Sequence, residues 1–194
     1  MSGPKVPVRG IGWPGSTSRP MVTPLQPSVV YASPDPDALD AQYADGSGFT
    51  YSREGHPNAS VLAAYVDRLE GAEGGIVTGS GMSAVGAAFL GALKAGDHVI
   101  GGAQLYGQSL RLMADDLPRM GIETTLADST DAEAVRAALR PETRMILVEV
   151  ISNPTIRVAD MEGIAAVAKE AGGLRAVANT ATTPAPCRPF EQGA

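Results

Sequence analysis

From residue 60 to residue 177 the chain alternates between two kinds of segment, and this constrains its fold more than any other feature. Short apolar runs take turns with longer stretches whose apolar residues recur at helical spacing. The clearest run is Met145-Ile146-Leu147-Val148 within residues 144–150, continuous and bounded by polar residues, as expected of a strand covered on both faces. Further strands are predicted at 76–78, 98–100, 122–126 and 174–177. Between them, helices are predicted from a Ser60 cap to Gly71, over 82–94, 105–120 and 131–139, and from an Asp160 cap through Glu170. Strands alternating with helices imply a largely parallel sheet with helices on both faces. In such sheets ligands sit at the carboxyl ends of the strands.

The first 58 residues lack this rhythm. Pro20, Pro24, Pro27, Pro34 and Pro36 exclude long helices there, so residues 1–58 read as an extended arm and residues 59–194 as the folded domain. Such an arm is expected to lie on its own domain or on a partner subunit. Residues 1–19 carry Pro4, Pro7, Gly10 and Pro14 and no unbroken apolar core, so they read as neither signal peptide nor membrane span. At 44% hydrophobic and 19% charged residues, the chain has the composition of a folded protein. A net charge of −6 without a basic run argues against a nucleic-acid partner. One cysteine, Cys187, excludes an internal disulfide and fits a reducing cytoplasm. His56 and His98 have no third ligand at metal spacing, so no metal site is expected.

One turn carries chemistry. Thr78-Gly79-Ser80-Gly81-Met82-Ser83-Ala84 joins a predicted strand to a predicted helix. Glycines there let the backbone turn tightly, and free N–H groups at a helix start hold a phosphate. As G-x-G-x-x-A the segment approaches the dinucleotide fingerprint. That reading also wants an acid near the end of the next strand, and Asp97 lies at the wrong end of it. A turn shaped only for packing is the plainer alternative.

The segments around the turn separate these readings. Ser80-Gly81-Met82-Ser83-Ala84 resembles the Ser-Gly-Met-Ala-Ala signature of the pyridoxal-phosphate (PLP) dependent cysteine/methionine metabolism, or transsulfuration, family. Tyr51-Ser52-Arg53, Leu69-Glu70, Gly96-Asp97-His98-Val99 and Tyr106-Gly107 match that family's motifs in the same order. So do Glu149 with Ser152-Asn153-Pro154, the stretch 177–184, and Arg188-Pro189 with Gly193-Ala194. The resemblance covers roughly residues 22 to 194 and implies the large domain of PLP fold type I, an α/β domain, with the smaller C-terminal domain lacking here. It also implies carbon–sulfur bond making or breaking on cysteine, homocysteine or homoserine derivatives, a small amino-acid substrate and association with a like or partner subunit.

The same resemblance assigns roles. Gly81 and Met82 would hold the cofactor phosphate through their N–H groups, Tyr106 would stack on the pyridine ring, and Asn153 would bond its phenolic oxygen. Thr180 joins them as a cofactor-binding residue, and Tyr51 and Arg53 would reach the phosphate of a neighbouring subunit's site. Two departures limit what carries over. Ala178 stands where the family places an aspartate that keeps the ring nitrogen protonated. The lysine that takes the cofactor's aldehyde follows the Gly-Ala-Asp segment in the family, whereas these residues stop at Gly193-Ala194 and offer only Lys5, Lys94 and Lys169. Smaller changes are His56-Pro57-Asn58 for Asn-Pro-Thr and Ala181 for a phenylalanine. The expectation is a truncated or degenerate enzyme with weakened or lost cofactor binding and little activity alone. The alternative is a non-catalytic subunit that docks on a full-length relative through the arm and helix 60–70.

Overall fold

The coordinates, a computed structural model, describe residues 15–18 and 20–194. Readings that rest on residues 1–14 and Arg19, Lys5 among them, lie outside the described residues. The chain divides into two compact units, one ending at Glu54 and the other spanning Gly55–Ala194.

In the first unit, helix α1 (Pro36–Asp45) replaces part of the expected extended arm. Asp35 caps it by accepting the Ala38 N–H at 2.8 Å, Pro36 occupies its first turn, where no N–H is needed, and Gly46 closes it in the left-handed region. None of its residues is buried. Val30 and Tyr51 pair in an antiparallel bridge, and the Tyr31 and Phe49 rings lie 5.8 Å apart.

In the second unit, the apolar runs become four parallel strands: β1 (His98–Gly102), β2 (Glu123–Ala127), β3 (Thr143–Glu149) and β4 (Leu174–Ala178). They are ordered β2-β1-β3-β4. Strand β1 is buried along its whole length, and β3 is buried except at Arg144 and Glu149. The pleat sends alternate residues to opposite faces. Ile146, Val148 and Val177 pack with Ile164 and Val167 of α6 (Met161–Ala171) and with Val135 of α5 (Ala132–Ala137). Met145, Leu147 and Ala176 instead pack with Phe89 of α3 (Gly81–Ala92) and with Met113 and Leu117.

Three further expectations are corrected. Helix α2 spans Pro57–Glu70 and is capped by His56, not Ser60. His56 Nδ1 accepts the Asn58 N–H at 3.2 Å, and Pro57 is already set for a first helical turn, so the helix starts earlier. Residues 76–78 form no strand among the described residues, and Ile76 is 80% exposed. An apolar β-branched run supplies propensity but not a hydrogen-bonding neighbour. The expected helix 105–120 is broken into α4 (Gly107–Arg111), a π-helical turn (Leu112–Asp116) and a 3-10 turn (Pro118–Met120). The π turn is closed by the Leu117 N–H to Leu112 O bond, and Pro118, without an N–H, cannot continue the ladder. The π turn brings Met113 and Leu117 into the core together. Met113 is seated against Gly101, where a Cβ would fall 2.3 Å from its sulfur.

No described helix is long and apolar enough to cross a membrane. Among the described residues no group of three or more His, Cys, Asp or Glu could hold a metal.

Candidate cofactor site

The chain passes from β1 outward to β2, then crosses back to place β3 on the other side of β1. The direction of winding therefore reverses between β1 and β3, and in open α/β sheets ligands bind outside the carboxyl ends at such a point. The loop after β1 leads to Tyr106, and β3 ends at Glu149. The two meet: the Tyr106 N–H donates to Glu149 Oε1 at 3.0 Å. Tyr106 is left 45% exposed, available as a stacking surface.

The start of α3 lies against the start of α4. Ser80 caps the helix, its Oγ accepting the Ser83 N–H at 3.1 Å and lying 2.9 Å from Ser83 Oγ. Thr78 Oγ1 donates to Ser80 O at 2.8 Å and fixes the turn. The Ala84 N–H goes to Ser80 O, and no protein acceptor among the described residues takes the N–H of Gly81 or Met82. Those two groups point outward at the positive end of the helix dipole. A Cβ built on Gly79 or Gly81 would meet nothing within 4 Å, so the cradle has room for a ligand. Ser109 of α4 is buried and donates to Met82 Sδ at 3.7 Å, which seats the start of α4 against the start of α3. Unfilled donors, open space and an exposed ring beside them fit a phosphorylated aromatic ligand.

The other carboxyl ends complete the rim. Asn153 is exposed in the turn after β3, at a cis bond to Pro154, and the turn is closed by the Ile151–Val158 bridge. Ser152 anchors that turn, its Oγ accepting the Arg157 N–H at 2.9 Å. Thr180 is exposed in the turn after β4, next to Asn179, whose amide donates to Glu70 Oε1 at 3.2 Å and to Cys187 O at 2.9 Å. Past β2, Asp128 collects Gln104 Nε2, the Thr130 N–H and hydroxyl, and Arg157 Nη2. The Thr130 hydroxyl, then the Thr130 N–H, hold its carboxyl down at about 2.

Gly81, Met82, Tyr106, Asn153 and Thr180 thus share the carboxyl-end rim of one unit. Tyr51 and Arg53 belong to the other, where the Arg53 guanidinium lies 4.8 Å over the Tyr51 ring and its Nε donates to Glu54 at 3.3 Å. The link from Tyr106 to Glu149 and the seat of Met82 on Ser109 went unseen in the sequence. Glu149 was visible there only as part of a motif, though its position at the end of a buried run marks it as a strand-end acid.

The family model for Cys/Met metabolism PLP-dependent enzymes matches residues 13–194. L-methionine gamma-lyase of Porphyromonas gingivalis is 33% identical over 176 residues, covering 90% of this chain and 44% of that protein. Canavanine gamma-lyase of Pseudomonas canavaninivorans is 38% identical over 195 residues, covering 100% of this chain and 48% of that protein. A crystal structure described as an O-acetylhomoserine (thiol)-lyase of Campylobacter jejuni, carrying a pyridoxyl-lysine phosphate, superposes with a TM-score of 0.86. It is 30% identical, with 94% of this chain and 45% of that one covered. The chain spans about half the length of the curated relatives it matches.

Proposed function

The chain belongs to the Cys/Met metabolism PLP-dependent enzyme family, and from that premise we propose that residues 79–180 grip the phosphate and ring of PLP for carbon–sulfur chemistry on a sulfur amino acid. One observation carries this reading: the N–H groups of Gly81 and Met82 have no protein acceptor among the described residues, and Ser109 on Met82 ties that helix start to α4, which follows the exposed Tyr106. Gly81 and Met82 would hold the phosphate, with the helix dipole behind them. Tyr106 would lie against the ring, while Asn153 and Thr180 would bond its edge from the turns after β3 and β4. When bound, PLP supplies an electron sink for bonds broken on the amino acid.

The lysine for the cofactor's aldehyde is not among these rim residues. Lys94 pairs with Asp97 at the amino end of β1, at 3.4 Å, and Lys169 stands in the last turn of α6. In this reading residues 1–194 provide the grip, and the lysine comes from polypeptide outside them. The arm, residues 1–58, would carry Tyr51 and Arg53 to the phosphate of a second subunit, the ring steadying the guanidinium. The cytoplasm is the proposed compartment, in keeping with a single thiol.

The test removes one donor and little else. Proline is well tolerated at a helix's first position, and Ser80, with φ −164° and ψ 162°, already has the extended backbone that a residue before proline requires. Gly81→Pro therefore deletes one phosphate donor while leaving α3 intact. Because a hydrogen bond to a charged group is worth about 1.5–3 kcal/mol, G81P is expected to weaken PLP binding roughly 10- to 100-fold, read by fluorescence titration. Equal affinity in a folded G81P chain refutes the cradle.

A second reading is favoured by Leu62, Tyr65, Val66 and Leu69 of α2, which recur at i, i+3, i+4 and i+7 and are 44–58% exposed. Such a stripe suits a subunit that docks on a relative. Sedimentation of the chain alone and mixed with a full-length relative tests it. A chain that stays monomeric in both refutes docking.

A further inference from the structure

Ala178 leaves the cofactor's ring nitrogen without the carboxylate that the family resemblance puts at that position. The strand register offers a replacement. Strands β3 and β4 run parallel with Glu149 and Ala178 as Cα partners, and the Val150 N–H bonds Ala178 O at 3.2 Å. Partners in register send their side chains to the same face. That face is the one shared by Met145, Leu147 and Ala176, packed on Phe89 of α3. Glu149 and Ala178 therefore stand side by side, on the cradle's side of the sheet. One of the two positions carries a carboxylate.

We propose that Glu149 is the carboxylate that faces the pyridine nitrogen in this chain, in place of an aspartate at position 178. The inference rests on the PLP reading above. Glutamate is one methylene longer than aspartate, which suits reach from the neighbouring strand. Glu149 Oε1 is occupied by the Tyr106 N–H, so the carboxylate is tied to the residue proposed to carry the ring. No protein donor among the described residues takes Oε2. The other acids at the carboxyl ends are engaged or lie off this face. Both oxygens of Asp128 are engaged, just past the far edge strand. Asp160 caps α6 on the opposite face of the sheet, accepting the Gly163 N–H at 3.0 Å. Glu70 accepts from Asn179 through Oε1 and keeps Oε2 buried without a partner, but Asn179, two residues after Val177, lies on the α6 side of β4. A carboxylate at Glu149 would accept the hydrogen bond from a protonated ring nitrogen and hold the proton there, with no net transfer.

The probe is pyridoxine 5′-phosphate labelled with ¹⁵N in the ring. It has the phosphate and the nitrogen but no aldehyde, so it needs no lysine. The 194-residue chain is titrated with it, and the ¹⁵N shift of the bound probe is followed against pH. The nitrogen is expected to stay protonated to higher pH when bound than when free. Glu149→Gln keeps an oxygen for the Tyr106 N–H, so the Tyr106 loop stays in place, but it removes the charge. E149Q is expected to abolish the extra protonation and to weaken binding about tenfold, the scale of one charge-assisted hydrogen bond. Adding A178D to E149Q is expected to restore both. A purely structural Glu149 predicts that E149Q leaves the nitrogen titration unmoved, and that result overturns the inference while leaving the cradle standing. Failure of the double variant to restore protonation, with its melting curve unchanged, also overturns it. If the unsubstituted chain does not bind the probe, the PLP reading itself fails and the inference goes with it.

Discussion

Helix α3 begins at the cradle, yet Phe89 is its only fully buried side chain, 1% exposed among Leu93, Val99, Met113, Leu117, Met145 and Leu147. Phe89→Ala removes the ring and leaves the rest of the helix unchanged. Returning that apolar surface to the transfer ledger costs about 2 kcal/mol. A residual void of roughly 80 Å³ at about 24 cal/mol per Å³ adds about 2 kcal/mol more. The expected loss is therefore about 4 kcal/mol, within the range measured for Phe truncations in other cores. Leu90 on the same helix is 62% exposed, so Leu90→Ala is the control and is expected to change stability by less than about 0.5 kcal/mol. Urea denaturation followed by far-UV circular dichroism reads both, with the slope m checked for constancy. A loss below about 1.5 kcal/mol for F89A at unchanged m, or an equal loss for L90A, refutes the view that Phe89 anchors the cradle helix to the sheet.

Ser80→Ala deletes the oxygen that accepts the Ser83 N–H. It is expected to cost about 1 kcal/mol in the same urea assay, and Ser80→Asp to retain most of the stability. Stability should also fall on mild acidification because of His98. That imidazole is buried at the start of β1, Nδ1 and Nε2 lying 2.8 and 2.9 Å from the hydroxyls of Thr143 and Thr125. Burial, then the Arg140 charge, lowers its pKa. A base whose folded pKa is depressed takes up its proton more readily when unfolded. Its contribution is therefore complete above the unfolded value, about 6.5, and is lost as pH falls below that toward the depressed folded value. Urea midpoints for the chain and for H98Q from pH 7.5 to 5 check this, and parallel curves would refute it.

The alternation of apolar runs with helical periodicity was enough to place four strands within a residue or two and to announce a parallel sheet. Those signals are local: pleat, helical repeat, a capping residue and a closing glycine act within a few positions of one another. The free N–H groups at a helix start after the glycine turn were legible for the same reason, whereas the Ser80 cap was not read. The start of α2 was misjudged because two local caps competed and Pro57 favoured the earlier one. Residues 76–78 have the composition of a strand, but a strand exists only where a neighbour pairs with it. The π turn at Leu112–Asp116 follows from fitting Met113 against Gly101, a contact made across the core. Arg175 sits on a strand read as apolar, yet it is buried, its guanidinium donating to Met161 O at 2.7 Å and Pro189 O at 3.2 Å. By itself, then, the sequence determined the four parallel strands, most of the helices, the glycine turn before α3 and an alanine at position 178. Only the tertiary structure decided that Glu149 stands beside Ala178 and accepts the Tyr106 N–H, because register between strands is set by how a whole sheet packs.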